Sequence, residues 1–353
     1  MGRETFSSDA VSAPSEHSNT DRLPAVLFTV PDLVAGVYGE RNLAGLREHL
    51  SLPETCVTRE NWRDHLDLLH NARVVVSSWG GPELKGDLLD AMPSLELYLY
   101  GAGSIKGLMG EAAWDRGIRI TSAAAANAVP VAEFALAQIL FSLKHGWSMM
   151  RRSMAGEPSL WLMNKEVPGN YHSRAGVIGL SMIGKHLCRL LRPFDLHVSA
   201  FDPVADAAAF AEHGAERVDL ESIFRNSDVV SLHAPWLPET EGMIHGEHFA
   251  MMKRGATFIN TARGALVREE EMIGVLRARP DLTAVLDVTH PEPPAPDSPL
   301  FTLPNVFLTP HLAGSMGPEC RRMGAFMAAD LKRYLAGGPM LGEVRREAAA
   351  MLA

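Results

Sequence analysis

Short runs of aliphatic and β-branched residues alternate with helical stretches along most of this chain, and this alternation restricts its fold more than any other feature. In the first series, the apolar runs lie at 25–30, 73–77, 95–100 and 118–121, and the helical stretches lie at 40–50, 61–70 and 83–91. Apolar strands that alternate with helices are typical of a parallel sheet covered on both faces. The first series therefore predicts a doubly wound α/β unit.

A second series of the same kind begins near residue 174. Its strands are predicted at 175–179, 197–201, 228–232, 256–260, 282–287 and 305–309, and its helices at 182–192, 205–213, 245–252 and 268–277. The length of 353 residues fits two such units, because a domain typically takes about 150 residues. The sequence thus predicts an α/β protein with two doubly wound parallel-sheet domains.

Two further helices are predicted outside these series, at 131–147 and 321–335. The helix at 131–147 is apolar on nearly every side, so it must be buried within the protein or at an interface. The segment after it keeps large apolar residues, namely Met149, Met150, Met154, Leu160, Trp161, Leu162 and Met163. We therefore expect a two-fold homodimer centred on 131–165. The alternative is that 147–165 folds back over its own domain.

Composition and charge exclude several classes of protein. The chain has 33 Lys and Arg residues against 42 Asp and Glu residues, for a net charge of −9. This acidic balance argues against a nucleic-acid partner or an anionic membrane surface. Cys56, Cys188 and Cys320 are too widely spaced to predict a disulfide framework or a structural zinc. No metal-ligand cluster is evident in the sequence, so no metal is expected.

The N-terminal segment 1–22 is predicted to be a disordered tail, since it is rich in polar residues and lacks the apolar run of a signal peptide. The longest apolar stretch, 123–143, contains Asn127, Pro130, Glu133 and Gln138. A bilayer span rarely tolerates that set. We therefore expect no transmembrane helix and a cytoplasmic location.

A glycine-rich turn joins the first strand of the second series to its helix. The dinucleotide fingerprint G-x-G-x-x-G occurs here as Gly179, Ser181 and Gly184. Gly179 permits a tight turn, Gly184 lets the helix approach the sheet, and the amides from Ser181 through Met182 and Ile183 point at a pyrophosphate. Because Ser181 replaces the middle glycine, a purely structural strand-to-helix turn is the alternative.

An acidic residue follows at the spacing that a dinucleotide site requires. Asp202 ends the next strand, 18 residues after Gly184, close to the roughly 20 expected for the acid that binds the adenosine ribose. A carboxylate there repels a 2′-phosphate, and no basic residue follows at once, so NAD is favoured over NADP. The alternative is that Asp202 caps a helix beginning near residue 205.

Three polar residues come just past the carboxyl ends of predicted strands, where open α/β sheets bind ligands: Arg263, Glu292 and His311. An arginine can hold a carboxylate through two hydrogen bonds, and a histidine can exchange a proton near neutral pH. A glutamate can orient that histidine and stabilise its charged form. Taken singly, Arg263 could pair with a surface acid, Glu292 could lie in a solvated loop, and His311 could cap a strand.

Many separate segments occur in one characteristic order. They are Gly101-Ala-Gly103, Asn127-x-x-x-Val-Ala-Glu133, the glycine turn, Asp202, Leu232-His-Ala-Pro235, Met252-Lys-x-Gly-Ala256, Asn260-Thr-Ala-Arg-Gly264, Asp287-Val-x-x-x-Glu-Pro293 and Thr309-Pro-His-x-Ala-Gly314. In this order the chain resembles the D-isomer-specific 2-hydroxyacid dehydrogenases, from about residue 74 to residue 335.

The resemblance implies a specific domain arrangement. A Rossmann NAD-binding domain, residues 129–312, would be inserted into a flavodoxin-like substrate-binding domain formed by residues 23–128 and 313–345. It also implies a dimer formed through the NAD-binding domain.

The resemblance also implies roles for individual residues. Arg263 would bind the substrate carboxylate and carbonyl, His311 would be the acid–base group with Glu292 as its orienting partner, and Asp287 would contact the nicotinamide carboxamide. Backbone amides of the Ala102–Gly103 turn would hold the substrate carboxylate, since a ligand can approach bare backbone there. Further residues expected to line the cofactor cleft are His233, Ala234, Pro235, Thr240, Thr261, Ala262 and His311. Trp79 and Gly80 are expected either to shape the substrate pocket or to anchor a loop.

Several positions depart from the family pattern. Ser104-Ile-Lys-Gly107 replaces a more usual acidic stretch, so we expect an atypical substrate pocket. Glu292 stands where the formate-oxidising branch has Gln, and Tyr100 stands where the phosphite-oxidising branch has Lys, which argues against both branches. His290, close to Glu292, is interpreted as a partly exposed loop histidine.

The resemblance and the residues together predict an NAD-dependent oxidoreductase that interconverts a 2-oxoacid and a D-2-hydroxyacid, with glyoxylate, hydroxypyruvate or a related substrate. The alternative is a non-enzymatic NAD(H)-responsive binding protein that resembles the C-terminal-binding-protein corepressors, which retain an Arg, Glu and His set. Fold alone does not decide between them.

Overall fold

The computed structural model describes residues 22–157 and 167–349. The strands, in chain order, are β1 (Leu23–Phe28), β2 (Leu50–Ser51), β3 (Cys56–Val57), β4 (Val74–Ser77), β5 (Leu97–Tyr100), β6 (Arg119–Ser122), β7 (Ser173–Ile178), β8 (Leu196–Phe201), β9 (Glu216–Arg217), β10 (Val229–Leu232), β11 (Thr257–Asn260), β12 (Thr283–Leu286), β13 (Val306–Leu308) and β14 (Glu343–Val344).

The α-helices are interspersed among these strands along the chain. In chain order they are α1 (Pro31–Val37), α2 (Gly39–Arg47), α3 (Leu66–Asn71), α4 (Gly86–Asp90), α5 (Glu111–Asp115), α6 (Ala124–Ser142), α7 (Gly146–Met154), α8 (Met182–Leu191), α9 (Ala207–His213), α10 (Leu220–Asn226), α11 (Gly246–Met251), α12 (Glu269–Ala278), α13 (Cys320–Leu335) and α14 (Arg346–Ala349).

The strands form two sheets. The first has the order β14-β6-β5-β4-β1-β2, with β3 also paired to β1, and within it only β14 runs antiparallel to its neighbour. The second has the order β13-β12-β11-β10-β7-β8-β9 and is parallel throughout. Counted from its first strand, the second sheet follows the dinucleotide-binding order 3-2-1-4-5-6, and the first follows the flavodoxin-like order 2-1-3-4-5. The predicted fold class is therefore confirmed.

We refer to the first sheet with α1–α5, α13 and α14 as the outer domain, and to the second sheet with α8–α12 as the inserted domain. The chain returns to the outer domain through α13, whose buried Asp330 binds the segment leading into β14. Asp330 accepts hydrogen bonds from the backbone N–H groups of Leu341 and Gly342, each at 2.8 Å, and from the Thr121 hydroxyl on β6. A buried carboxylate is tolerated only when its oxygens are so paired, and here it joins α13 and the segment before β14 to β6 of the first sheet.

The predicted helix at 131–147 is wrong in its bounds. Helix α6 begins at Ala124 and ends at Ser142, and α7 begins at Gly146. The break lies at His145, whose φ of +50° is left-handed. A Cβ on Gly146 would lie 2.5 Å from the Phe141 ring, so only glycine lets the chain turn so closely past the end of α6.

Helix α6 connects the two domains. Its small side chains Ala132 and Ala135, with Ile139, are buried against the inserted domain, beside Leu187 and Leu191 of α8. Among the described helices, α6 is the one that is long and apolar enough to cross a membrane by length and composition. It packs against α8, β10, β11 and α13, as expected of a helix buried within the protein. One side of α6, which includes Glu133, Ala137 and Phe141, remains exposed in the single chain.

Candidate active site

The glycine turn between β7 and α8 has the geometry that the fingerprint requires. Gly179 has a φ of +93°, and a Cβ at this position would lie 2.7 Å from the backbone nitrogen of Ala234. A Cβ on Gly184 would lie 2.0 Å from the carbonyl oxygen of Gly179. Both glycines are therefore required by close backbone approach, and Gly179 also by its left-handed conformation. The predicted strand–turn–helix is confirmed.

Ser181 is the N-cap of α8. Its φ is −65°, which any residue adopts, and its Oγ accepts from the Gly184 N–H at 3.4 Å. The replacement of glycine by serine thus leaves the turn intact and caps the helix. The amides that follow, those of Met182 and Ile183, begin the helix at the carboxyl edge of the second sheet, where its dipole favours an anion.

Asp202 lies at the end of β8 and ties its loop to the glycine turn. Its Oδ2 accepts from the Leu180 N–H at 2.8 Å, and its Oδ1 accepts from the N–H groups of Val204 and Ala205 at 2.9 and 2.8 Å. The alternative in which Asp202 caps a helix from residue 205 is wrong, because α9 begins at Ala207 with Asp206 as its N-cap. Asp202 therefore belongs to the turn that would meet a dinucleotide.

A cavity of about 560 Å³ opens beside Asp202. It is lined by Phe201, Asp202, Pro203, Arg217, Val218, Asp219 and Ser222. The lining combines two carboxylates with one guanidinium and apolar surface, which suits a ribose and a flat base better than a group with further negative charge.

Two buried polar atoms just past the carboxyl ends of β10 and β11 have no hydrogen-bond partner among the described residues: Nδ1 of His233 and Oγ1 of Thr261. His233 is 2% exposed, its Nε2 lies 2.8 Å from the Ser231 hydroxyl, and burial lowers its pKa to about 3. Its ring is therefore neutral near pH 7. Buried polar groups are nearly always paired, so these two atoms are consistent with a polar ligand at this edge of the sheet.

The remaining residues of the predicted cofactor cleft are placed around these atoms. Ala234 and Ala262 are buried. Thr240 braces its own loop, because its Oγ1 donates to the Pro235 carbonyl at 2.6 Å and accepts from the Leu237 N–H at 2.9 Å. The predicted role of Thr240 as a direct cofactor ligand stays a prediction. The structure shows that its hydroxyl stabilises the loop at 235–240.

Arg263 follows β11 on a loop that Asn260 shapes. The Asn260 side chain accepts from the Ala262 N–H and donates to the Arg263 carbonyl, both at 3.0 Å. Burial lowers the pKa of the Arg263 guanidinium, and the nearby Glu292 carboxylate opposes this shift. The group remains cationic, because a guanidinium keeps its proton in folded proteins. A partly buried cation at the carboxyl edge of the sheet suits a small carboxylate ligand.

His311 and Glu292 form a direct pair across two neighbouring loops, with His311 Nδ1 hydrogen-bonded to Glu292 Oε1. Both side chains are about half exposed, so solvent can reach them. Because Glu292 occupies Nδ1, the other ring nitrogen, Nε2, is the one available to a ligand. A Cβ on Gly264 would lie 2.0 Å from the backbone of Thr289, so the Arg263 and Glu292 loops touch. The structure therefore brings the three predicted catalytic residues together.

The backbone of His311 is held in a left-handed conformation with a φ of +54°, which is uncommon for a residue other than glycine. Asp287 stabilises it. The His311 N–H donates to the Asp287 carbonyl at 3.0 Å. The Asp287 carboxylate accepts from the Thr309 hydroxyl at 2.6 Å and from the N–H groups of Leu312 and Ala313 at 2.9 and 3.0 Å. This buried carboxylate thus fixes the loop on both sides of His311.

The predicted contact of Asp287 with the nicotinamide carboxamide stays a prediction. In the structure the carboxylate accepts three hydrogen bonds from the 309–313 loop. The sequence motif gave no sign of this positioning role, because the three donors come from a loop more than 20 residues further along the chain.

The predicted substrate residues lie at the carboxyl edge of the first sheet. Trp79 follows β4, and its carbonyl accepts from the Thr29 hydroxyl at 2.9 Å. Gly80 has a φ of +76°. After β5, the Ala102 N–H donates to the Tyr100 carbonyl at 2.8 Å, and the Gly103 carbonyl accepts from Ser122 Oγ. The Ala102 amide is thus already used within its turn, which leaves the Gly103 amide as the better candidate for a ligand.

Two contacts near the site were not predicted as part of it. Asn127 Oδ1 at the start of α6 accepts from the Ser315 N–H at 2.8 Å, next to the His311 loop. Across the cleft, the Lys106 ammonium lies 4.3 Å from the centroid of the Trp236 ring. The sequence could have indicated Asn127, because it lies in one of the ordered motifs. It could have indicated Lys106, because this residue lies in the stretch at 104–107 that departs from the family pattern.

The Asp287 positioning role leads to a stability prediction. Asp287→Asn keeps the volume but offers only one acceptor oxygen to three donors, so a buried donor loses its partner. We expect the free energy of unfolding to fall by about 2 kcal/mol, measured by urea denaturation. Asp297→Asn, at an exposed carboxylate in the loop after Glu292, is the matched control and should unfold like the original protein. An Asp287→Asn protein with an unchanged midpoint would contradict this role.

Comparison with known proteins places this site in a family. The sequence model described as "D-isomer specific 2-hydroxyacid dehydrogenase, NAD binding domain" matches residues 136–313, which is half of the chain. A relative named D-3-phosphoglycerate dehydrogenase, from Archaeoglobus fulgidus, is 29% identical over 263 residues, which cover 74% of this chain and 49% of the relative. A relative named glyoxylate reductase, from Korarchaeum cryptofilum, is 27% identical over 311 residues, which cover 84% of this chain and 90% of the relative.

The chain spans about half the length of the D-3-phosphoglycerate dehydrogenases that it matches. Solved structures share its fold. D-mandelate dehydrogenase from Rhodotorula graminis has a TM-score of 0.76 and 24% identity, covering 91% of this chain and 97% of that one. A phosphoglycerate oxidoreductase from Rhizobium etli has a TM-score of 0.77 and 24% identity, covering 92% of this chain and 99% of that one.

The family match confirms NAD as the cofactor that the glycine turn and Asp202 predicted, since all the residues from Gly179 to His311 lie within the matched segment. With its inserted dinucleotide-binding sheet and its Arg263, Glu292 and His311 cluster, the chain belongs to the D-isomer specific 2-hydroxyacid dehydrogenase family.

Proposed function

We propose that this protein is an NAD-dependent dehydrogenase that reduces a 2-oxoacid to a D-2-hydroxyacid, with glyoxylate, hydroxypyruvate or a related compound as substrate. The observation that carries the proposal is the His311–Glu292 pair beside Arg263 at the carboxyl edge of the NAD-binding sheet. These groups are what the reduction of a carbonyl next to a carboxylate needs: a cation for the carboxylate and a proton donor for the oxygen.

The proposed mechanism assigns one task to each residue. The glycine turn and Asp202 would hold NAD, which in its reduced form would supply the hydride for C2 of the 2-oxoacid. Arg263 binds the substrate carboxylate and polarises the C2 carbonyl. His311 Nε2 donates a proton to the carbonyl oxygen as negative charge develops there, so the C2–O double bond becomes an alcohol. Glu292 accepts from Nδ1–H and stabilises the charged ring before the transfer. Solvent then reprotonates the half-exposed imidazole.

The direct test replaces the proton donor. We expect His311→Ala to lower kcat by about 10²- to 10⁴-fold, the usual contribution of general acid catalysis, while NADH binding measured by fluorescence is kept. His70→Ala, at an exposed histidine on α3 in the outer domain, is the matched control and should keep full activity. NADH oxidation is followed at 340 nm with glyoxylate, hydroxypyruvate, pyruvate and phenylpyruvate.

Two outcomes would overturn this assignment. A His311→Ala protein as active as the original would remove His311 from the mechanism. Tight NADH binding without oxidation by any compound of a broad 2-oxoacid panel would favour the non-enzymatic NAD(H)-responsive role instead.

Cofactor preference is tested separately at Asp202. The cavity beside it holds the two carboxylates of Asp202 and Asp219 against the one guanidinium of Arg217, so a 2′-phosphate is disfavoured there. We expect kcat/KM with NADH to exceed that with NADPH by at least about tenfold, which corresponds to roughly 1.4 kcal/mol. Asp202→Ala should narrow this ratio. Equal use of both cofactors by the unmodified protein would contradict the prediction.

We also propose that the protein forms a two-fold homodimer through the α6–α7 side of the inserted domain. The outward side of these helices exposes Phe141 by 39%, Met150 by 43% and Met154 by 82%. Apolar side chains grouped on one exposed surface favour association with a second copy. The predicted interface residues Leu160, Trp161, Leu162 and Met163 lie outside the described residues, so the argument rests on α6 and α7.

Sedimentation equilibrium at micromolar concentration tests the dimer. We expect a mass of twice the 38.4 kDa of one chain, and we expect Met150→Glu to raise the dimer dissociation constant at least tenfold, because it would bury a charge in the interface. Leu341→Glu, at an exposed apolar residue of the outer domain, is the control. A mass near that of a single chain would reject the dimer, and a dimer that Met150→Glu leaves unweakened would place the interface elsewhere.

A further inference from the structure

A tight turn fixes Lys106 on the cleft side of the outer domain. Ile105 and Leu108 are both buried in the outer-domain core, and the Leu108 N–H donates to the Ile105 carbonyl at 3.0 Å. Gly107 has a φ of +81°, which suits the third position of such a turn. The Lys106 N–H also donates to Ser104 Oγ at 3.3 Å. With Ile105 and Leu108 buried in the core, the exposed Lys106 side chain projects outward.

The Lys106 side chain reaches across the cleft to the inserted domain. Its ammonium lies 4.3 Å from the centroid of the Trp236 ring, a cation–π distance. Trp236 is itself held, since its Nε1 donates to Glu241 at 3.1 Å. The Trp236 ring lies 5.9 Å from the His290 ring in an edge-on arrangement. His290 belongs to the loop that carries Glu292, so the cation stands at the rim of the proposed active site.

The Lys106 ammonium has no anionic partner in the part of the chain that the structure describes. No carboxylate of the described residues lies within ion-pair distance of it, whereas the nearby Lys85 and Arg59 both pair with Glu83. The rim thus holds a second cation in addition to Arg263, and its only described partner is the face of an aromatic ring. An anion would bind this ammonium more strongly than the ring does, particularly in a closed cleft with a low effective dielectric.

Resting on the proposed function, we infer that Lys106 is a specificity-determining residue that selects 2-oxoacids carrying a second anionic group at the end of the side chain. Arg263 and the Gly103 turn hold the first carboxylate and the reacting carbonyl. Lys106 lies three residues beyond Gly103 in the same segment after β5, so a substituent on C3 that points out of the cleft comes within reach of its ammonium. The shared chemistry is a distal carboxylate or a distal phosphate.

Matched substrate pairs separate charge from size. 2-Oxoglutarate is compared with 5-methyl-2-oxohexanoate, in which an isopropyl group replaces the distal carboxylate, and 3-phosphohydroxypyruvate is compared with hydroxypyruvate. We expect kcat/KM of the unmodified protein to favour the anionic member of at least one pair by about tenfold or more, through KM rather than kcat. The pair that shows the larger ratio identifies the distal group as carboxylate or phosphate.

Variants at Lys106 then test the residue itself. Lys106→Gln keeps a polar side chain of similar length without the charge, so the ratio should fall to near one, whereas Lys106→Arg should keep it. The preference of the unmodified protein should also decrease with added salt, because the attraction is screened. Lys332→Gln, which removes one exposed positive charge on α13 that lies beside Glu48, is the matched control and should keep the ratio.

A binding measurement keeps the inference separate from the proposed function. N-oxalylglycine is an analogue of 2-oxoglutarate that cannot be reduced, and its binding to the NADH-loaded protein is measured by calorimetry. We expect Lys106→Gln to weaken this binding about tenfold and Lys106→Arg to keep it. If no 2-oxoacid is reduced, the proposed function fails, and the calorimetry still decides whether Lys106 binds a distal anion.

Two results would overturn the inference while leaving the dehydrogenase proposal intact. One is a protein that reduces the neutral members at least as well as the anionic ones. The other is a Lys106→Gln protein that loses activity equally on both members of each pair, since the lysine would then only hold the two domains together through Trp236.

Discussion

The hydrogen bonds of the buried Asp287 carboxylate are the interaction on which the rest of the site depends. One side chain after β12 accepts from Thr309, Leu312 and Ala313, and so fixes the loop after β13 in a conformation that gives His311 its left-handed backbone. That backbone directs the imidazole onto Glu292. A carboxylate withdrawn from water is costly unless its oxygens are paired, and here the pairing gives the proton-transferring residue a fixed position.

Much of the fold could be predicted from the sequence because its elements are long and strongly patterned. The central strands β7, β10 and β11 are rich in apolar residues and, apart from Arg174, are buried along their whole length, which is typical of a parallel sheet covered on both faces. The two-residue strands β2, β3, β9 and β14 and the five-residue helix α5 are too short for any period to show. The end of α6 was missed for a different reason, since it depends on the contact between Gly146 and the Phe141 ring.

The residues of the site also differ in whether the sequence could predict them. Arg263, Glu292 and His311 could be predicted because each follows a recognisable strand, and parallel strands bring their carboxyl ends to one edge. The Lys106–Trp236 contact could not be predicted, because the two residues belong to different domains and lie 130 positions apart in the chain. No local pattern encodes such a contact, which depends on how the two domains face each other. The role of Asp287 was hidden for a similar reason, since a motif shows that a carboxylate is present but not which donors it will meet.

The central claim is that Asp287 holds His311 where its Nε2, together with Arg263, meets the carbonyl oxygen of a 2-oxoacid beside NAD. The most direct measurement is a crystal structure of the protein with NADH and oxamate, a non-reducible analogue of a 2-oxoacid. The account predicts the oxamate carbonyl oxygen within about 3 Å of both His311 Nε2 and the Arg263 guanidinium, with the Asp287 hydrogen bonds to the 309–313 loop intact. Oxamate bound away from His311, or a His311 ring turned from the ligand and released from Glu292, would contradict it.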